Sequence, residues 1–197
     1  MCSIDALLKG FQRFREKYFQ GSDKPYDRLK LAQRPDILVI ACSDSRVDPA
    51  ILFDANPGDL FVVRNVANLV PPYSDHGGAL GVCAALEFAI CQLEVEHVVV
   101  LGHSQCGGIQ ALATGPDGEF IPQWMYIARD ASSDQTSAKA LEQSSIRLSL
   151  GNLMTFPFVK ERVDEAKLAI HGWYFDLDSG ELSGYDHQTG VFKAIPR

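Results

Sequence analysis

The chain has 197 residues, of which 25 are acidic and 18 basic, giving a formal charge of −7, and 46% are hydrophobic. That make-up describes one ordinary globular domain, 1–197, large enough for a hydrophobic core to hold it without disulfide staples. An acidic chain with no long basic stripe is a poor partner for nucleic acid or an anionic membrane surface, and no apolar run approaches the ~20 residues of a membrane-spanning helix.

The N-terminal residues Met1 to Asp5 lack the charged and apolar regions of a secretory signal, so a cytoplasmic, reducing location is expected. There the five cysteines, Cys2, Cys42, Cys83, Cys91 and Cys106, read as buried thiols or metal ligands rather than as a disulfide framework. Leu7, Leu8, Phe11, Phe14 and Tyr18 recur at helical spacing, which predicts an amphipathic helix from about Ser3 to Phe19, ending before Gly21. Ile37 to Ala41, Leu60 to Val63 and Val98 to Leu101 are unbroken apolar runs of strand length, expected to be buried parallel strands. Gly77 to Leu93, rich in Ala and Leu, suits a crossover helix between the last two.

Beyond His103, the pair Gly107 and Gly108 leads into a short helix at Ile109 to Ala113, and Pro116, Asp117 and Gly118 mark a turn. Ser133 to Leu153 and Pro157 to Ala169 read as two helices, the second with Pro in its first turn. His171 to Leu177, the turn Asp178-Ser179-Gly180 and Glu181 to Tyr185 form a hairpin signal, with a further strand at Val191 to Ile195. The fold class is α/β: a mainly parallel central sheet flanked by helices, with an N-terminal helical arm and a C-terminal hairpin.

Two segments that follow predicted strands carry chemistry: Cys42-Ser43-Asp44-Ser45-Arg46 and His103-Ser104-Gln105-Cys106-Gly107-Gly108. In an α/β sheet the ends of parallel strands converge on one edge, so Cys42 can meet His103 and Cys106 despite their separation in sequence. Two thiolates and an imidazole suit Zn²⁺, and three protein ligands leave a fourth position open for chemistry. Asp44, paired with Arg46, would accept a proton from a water there without ligating the metal. Gly107 and Gly108 let main-chain N–H groups approach a developing anion.

Taken singly, Cys42 reads better as a small apolar filler than as a ligand, and His103 as a hydrogen-bonded loop residue; their coincidence with Cys106, Asp44 and Arg46 favours metal. Cys83 and Cys91 read as packing residues and Cys2 as incidental. A phosphatase loop from Cys42 to Arg46 is too short to wrap a phosphate, and Asp44 repels an anion. A serine nucleophile lacks the Gly-x-Ser-x-Gly elbow.

These residues resemble the β-class carbonic anhydrases, whose pattern is Cys-x-Asp-x-Arg followed downstream by His-x-x-Cys-Gly. The similarity runs on through Pro57 to Asn68, Glu94-Val95-Glu96-His97 and Ile170-His171-Gly172-Trp173. It implies that Cys42, His103 and Cys106 hold one zinc ion per chain, that Asp44 and Arg46 are the catalytic pair, and that Gln33, Phe61, Val66, Phe88 and Gly107 contact substrate. The implied reaction is reversible hydration of CO₂ to bicarbonate and a proton, by attack of zinc-bound hydroxide on CO₂. The implied assembly is a homodimer or a dimer-based tetramer, with the N-terminal helix, about residues 3–20, packed on a partner subunit. Relatives regulated by bicarbonate carry Trp and Gly where this chain has Val39 and Ala41, so it resembles the plant-like, non-allosteric subgroup, as does Val70-Pro71-Pro72-Tyr73.

Two thiolates donate more charge to zinc than histidines do, so activity should rise with pH. No proton shuttle is assigned among His76, His97 and His187. Carbonyl sulfide or CS₂ are alternative substrates for the same chemistry. A zinc-stabilised scaffold, with Asp44 closing the fourth position, is a rival that the Asp44–Arg46 pair argues against.

Overall fold

The computed structural model describes residues 3–74, 80–132 and 137–196. They form two compact units, Met1–Arg34 and Pro35–Arg197. In the first unit, α1 (Ile4–Arg15) starts at Ser3, whose hydroxyl accepts the N–H of Ala6. Asp5 in its first turn and Arg13 and Arg15 in its last complement the helix dipole. The helix then widens into a π-helical turn, Glu16–Gln20, before Gly21, so the expected extent holds while the last turn departs from α geometry. A short α2 (Tyr26–Leu29), which the sequence pattern did not suggest, brings Tyr26 to within 4.6 Å of the Phe19 ring. In the single chain Ile4, Leu7, Leu8 and Phe11 of α1 stay exposed.

The second unit is built on six strands: β1 (Ile37–Cys42), β2 (Leu60–Asn65), β3 (His97–His103), β4 (Ala169–Phe175), β5 (Leu182–Asp186) and β6 (Val191–Ala194). Their order is β2-β1-β3-β4-β5-β6. β1 runs parallel to β2 and β3, and β3 parallel to β4, whereas β5 and β6 add as an antiparallel C-terminal hairpin. This is the mainly parallel, helix-flanked α/β sheet that the apolar runs predicted.

Around the sheet lie α3 (Pro49–Leu52), α4 (Leu80–Glu87), α5 (Gly107–Thr114), α6 (Ile121–Met125), α7 (Ala138–Leu153) and α8 (Pro157–Asp164). Strand side chains alternate between faces. Leu38 and Ile40 of β1 pack with Leu86, Ile146, Leu150 and Val159 from α4, α7 and α8, while Val39 and Ala41 pack with Val47, Val99 and Leu101 on the other face. Each such side chain contributes ~1.5–3 kcal/mol through burial. A third cluster gathers at the C-terminal ends of the strands and includes Cys42, Cys106, Ile109, Met125 and Leu141.

Several expectations are corrected. β2 is an edge strand, with Val62 and Arg64 exposed, because β1 covers only one of its sides. α8 stops at Asp164 rather than running to Ala169: Ala166 takes a left-handed φ of 56°, and Ala169 already opens β4 opposite His97. α3, α6 and two 3₁₀ turns, Val66–Asn68 and Tyr126–Ser132, carried no clear periodicity. The expected crossover helix appears as α4 plus a π-helical turn, Phe88–Gln92. Cys2, His76, the 77–79 start of that helix and the 133–136 start of the next lie outside the described residues. Among the described residues, no helix is long and apolar enough to cross a membrane.

Candidate active site

β1 ends at Cys42 and its neighbour β3 at His103, with Ala41 in register with Leu101, so both residues leave the sheet on the same edge. A turn beyond His103 then places Cys106 at the N-cap of α5. All three side chains are buried, and their candidate ligand atoms lie within 4.8 Å of one another. The two Sγ atoms are 3.8 Å apart, the separation that two Zn–S bonds of about 2.3 Å make at a tetrahedral ion.

The histidine ring is oriented for the same purpose. Nδ1 of His103 lies 2.8 Å from the carbonyl oxygen of Ser104, to which it donates, leaving Nε2 buried without a hydrogen-bond partner among the described residues. A buried nitrogen that finds no partner is costly, and here it faces two thiols. The donor set therefore fits zinc. The two thiols are hydrogen-bonded to each other. That bond, outweighing burial, pulls Cys42 down, while Cys42 and burial push Cys106 up.

Beside this cluster Asp44 is fixed by three donors. The Arg46 main-chain N–H and Nε both donate to Oδ1 at 2.9 Å, and Nη2 donates to Oδ2 at 2.7 Å. The guanidinium holds the carboxyl well below the usual carboxylate range. Oδ2 also stands 3.9 Å from His103 Nε2, so the carboxylate borders the ligand cluster. Arg46 Nη2 reaches the carbonyl of Gln105 as well. Gln105 has a left-handed φ of 58°, and its amide is tied to both Asp178 oxygens in the turn before β5.

Three residues that sequence reasoning missed support this edge. Arg64 on β2 donates to the carbonyls of Cys42, Asp44 and Val47 and pairs with Asp48, which binds the whole Cys42–Asp48 turn to the sheet. A lone arginine within the apolar run Leu60 to Val66 was its only signal. Glu142 and Tyr174 meet beneath Cys106; a single acid amid Leu141, Ser145 and Ser149 of α7 hinted at the first. Gly108 is required sterically, because a Cβ there would sit 2.8 Å from Val66 Cγ1 and 3.0 Å from Ala67 Cβ.

The residues expected to touch substrate are largely exposed. Gly107 is the exposed first residue of α5. Val66 is exposed, and its carbonyl accepts from Trp124 Nε1. Phe61 stacks on the exposed Phe88 with ring centroids 5.9 Å apart and packs against the Leu38 core cluster. Gln33 lies exposed in the first unit.

Comparison with known proteins agrees with this geometry. The sequence profile of the carbonic anhydrase family matches residues 37–182. Beta carbonic anhydrase 3 of Arabidopsis thaliana is 38% identical over 210 residues, spanning 98% of this chain and 80% of that protein. The solved structure of the beta-carbonic anhydrase CcaA is 34% identical, superposes with a TM-score of 0.87, and covers 98% of this chain and 99% of its own. One of two tetrameric beta-carbonic anhydrases from the ascomycete Sordaria macrospora is 27% identical with a TM-score of 0.74, over 96% of this chain and 95% of its own. Sequence motif, strand-end geometry and whole-chain similarity converge: this chain is an enzyme of the β class of the carbonic anhydrase family.

Proposed function

We propose that the chain catalyses the zinc-dependent, reversible hydration of CO₂ to bicarbonate and a proton. The observation that carries this reading is the unpartnered His103 Nε2 facing two thiols, with an ionised Asp44 alongside. Zinc, when bound, supplies a Lewis acid that makes water nucleophilic near neutral pH. Every other requirement falls on the chain. Cys42, His103 and Cys106 would hold the ion, a set of three protein ligands of the kind that catalytic zinc sites use.

Asp44 would accept a hydrogen bond from the reacting water and so direct a lone pair of its oxygen toward CO₂. Arg46 keeps this carboxylate ionised and engages both of its oxygens, so that it serves as an acceptor rather than a fourth ligand. The Gly107 N–H, at the positive end of α5, faces the charge that develops on bicarbonate. Phe61, Val66 and Phe88 each offer apolar surface suited to an uncharged gas, and the Gln33 amide is a hydrogen-bonding group for bicarbonate.

The active form is a homodimer or a dimer-based tetramer. Support comes from the apolar side chains left exposed on α1 and at Val66 and Phe88, and from the tetrameric Sordaria proteins. The α1 arm packs on a partner subunit. The free thiols of the site favour a reducing compartment, the cytoplasm. Val39 and Ala41 are packed among Val47, Val99 and Leu101, which leaves nothing there to bind bicarbonate and favours the plant-like, non-allosteric subgroup.

Stopped-flow CO₂ hydration on zinc-quantified protein tests the proposal. Turnover that tracks zinc content and rises with pH is expected, without sharp inhibition by bicarbonate. Fully zinc-loaded protein that leaves CO₂ hydration at the buffer rate would overturn it.

A further inference from the structure

α7 carries one acidic side chain into the interior. Glu142 is 3% exposed. Its two carboxylate oxygens are engaged by two uncharged donors: Oε1 accepts the main-chain N–H of Cys106 at 3.2 Å, and Oε2 accepts the hydroxyl of Tyr174 at 2.8 Å. Taking a carboxylate out of water is costly even when its oxygens are hydrogen-bonded, so a leucine would be easier to bury on this face of α7. What the carboxylate provides, and a leucine would not, is an acceptor for the Cys106 main chain.

Cys106 is the N-cap of α5, and its side chain makes no capping hydrogen bond to that helix. Its Sγ meets Cys42 Sγ at 3.8 Å, and its main chain is held by Glu142. Tyr174, 1% exposed on β4, sets the rotamer of Glu142 by holding its other oxygen. Burial and the Glu142 carboxylate push this hydroxyl above its ordinary range, so it remains a donor.

We propose that Glu142, oriented by Tyr174, is a positioning residue of the metal centre, holding the Cys106 main chain so that its Sγ stays set against those of Cys42 and His103 Nε2 for zinc. The inference rests on the zinc reading of that cluster and adds two residues that lie outside both sequence motifs.

Zinc affinity by competition with a chromogenic chelator, together with the absorption spectrum of the cobalt-substituted protein, tests it on the full chain. Glu142→Ala should weaken zinc binding ~10–100-fold, the range for losing an outer hydrogen bond to a ligand, and shift the sulfur-to-cobalt charge-transfer band. Glu142→Gln still offers an oxygen to the Cys106 N–H and should recover most of the affinity. Tyr174→Phe, which keeps the carboxylate and frees its rotamer, should fall between the two. Val159→Ala, a control in the other core cluster, should lower Tm and leave zinc affinity unchanged.

Wild-type affinity and an unaltered cobalt spectrum in Glu142→Ala would overturn the inference; if that variant does not fold, the same result in Tyr174→Phe decides. Zinc loss in Val159→Ala in proportion to its fall in Tm would also overturn it, by reducing the effect to general stability. A wild-type chain that binds no zinc is a different failure, because it removes the zinc reading itself and this inference with it.

Discussion

Arg46 engages both carboxylate oxygens of Asp44, through Nε at 2.9 Å and Nη2 at 2.7 Å, while its own main-chain N–H donates to Oδ1. Both donors and acceptor lie within one tight turn, so the pair needs no distant element to align it. Asp44→Ala is expected to lower kcat ~10²–10⁴-fold, the usual contribution of a positioned proton acceptor, with zinc content unchanged. Undiminished hydration in a zinc-loaded variant would remove Asp44 from the mechanism.

Cys106 supplies a soft donor that an alcohol does not replace. Cys106→Ser should release zinc on dialysis against a chelator that leaves the wild type loaded, and hydration should fall with the metal. Full zinc retention, measured by atomic absorption, would count against this ligand set.

Arg64 donates to three carbonyls of the turn that carries the Asp44–Arg46 pair. Arg64→Met keeps the apolar stem but removes the donor from those carbonyls and from Asp48 Oδ2. A loss of ~1–3 kcal/mol of stability is expected from unsatisfied groups of this kind, with a lower kcat as the turn loosens. Chemical denaturation and hydration kinetics read the two effects, and a variant equal to the wild type in both would refute the assigned role.

Gly108 has no room for a side chain against Val66 and Ala67. Ala67, itself at a left-handed φ of 66°, is buried in the same cluster as Cys42 and Cys106. Gly108→Ala should therefore displace the Val66–Asn68 turn, cost ~1–3 kcal/mol by overpacking, and weaken zinc binding. An unchanged melting temperature and zinc affinity would show that the turn yields freely.

Away from the site, Lys193 and the N–H groups of Thr189 and Gln188 hold the Asp186 carboxyl well below its usual range. A carboxyl depressed in the folded state adds stability above its unfolded value of about 3.9, and that contribution is lost as pH falls toward the folded value. The Tm gap between wild type and Asp186→Asn should be widest near neutral pH and shrink progressively below about pH 4. A gap that stays constant or widens on acidification would contradict the assignment.

What the amino-acid sequence determined by itself is the part governed by local chemistry. Unbroken apolar runs located β1, β2 and β3, because a buried parallel strand needs side chains that both of its faces accept. The spacing of Cys42, Asp44 and Arg46, and of His103 and Cys106, made the site legible, because ligand identity and a two-residue ion pair are written in contiguous residues. Tertiary structure decided the rest. Ala166 ends α8 in a conformation that alanine does not favour, because pairing of Ala169 opposite His97 outweighs helix propensity. β2 proved half-exposed because an edge position is a property of the sheet and not of the strand. Arg64 and Glu142 reach the site from β2 and α7, and only the packed fold brings Glu142 to the N–H of Cys106, since a main-chain donor leaves no signature in a side-chain pattern.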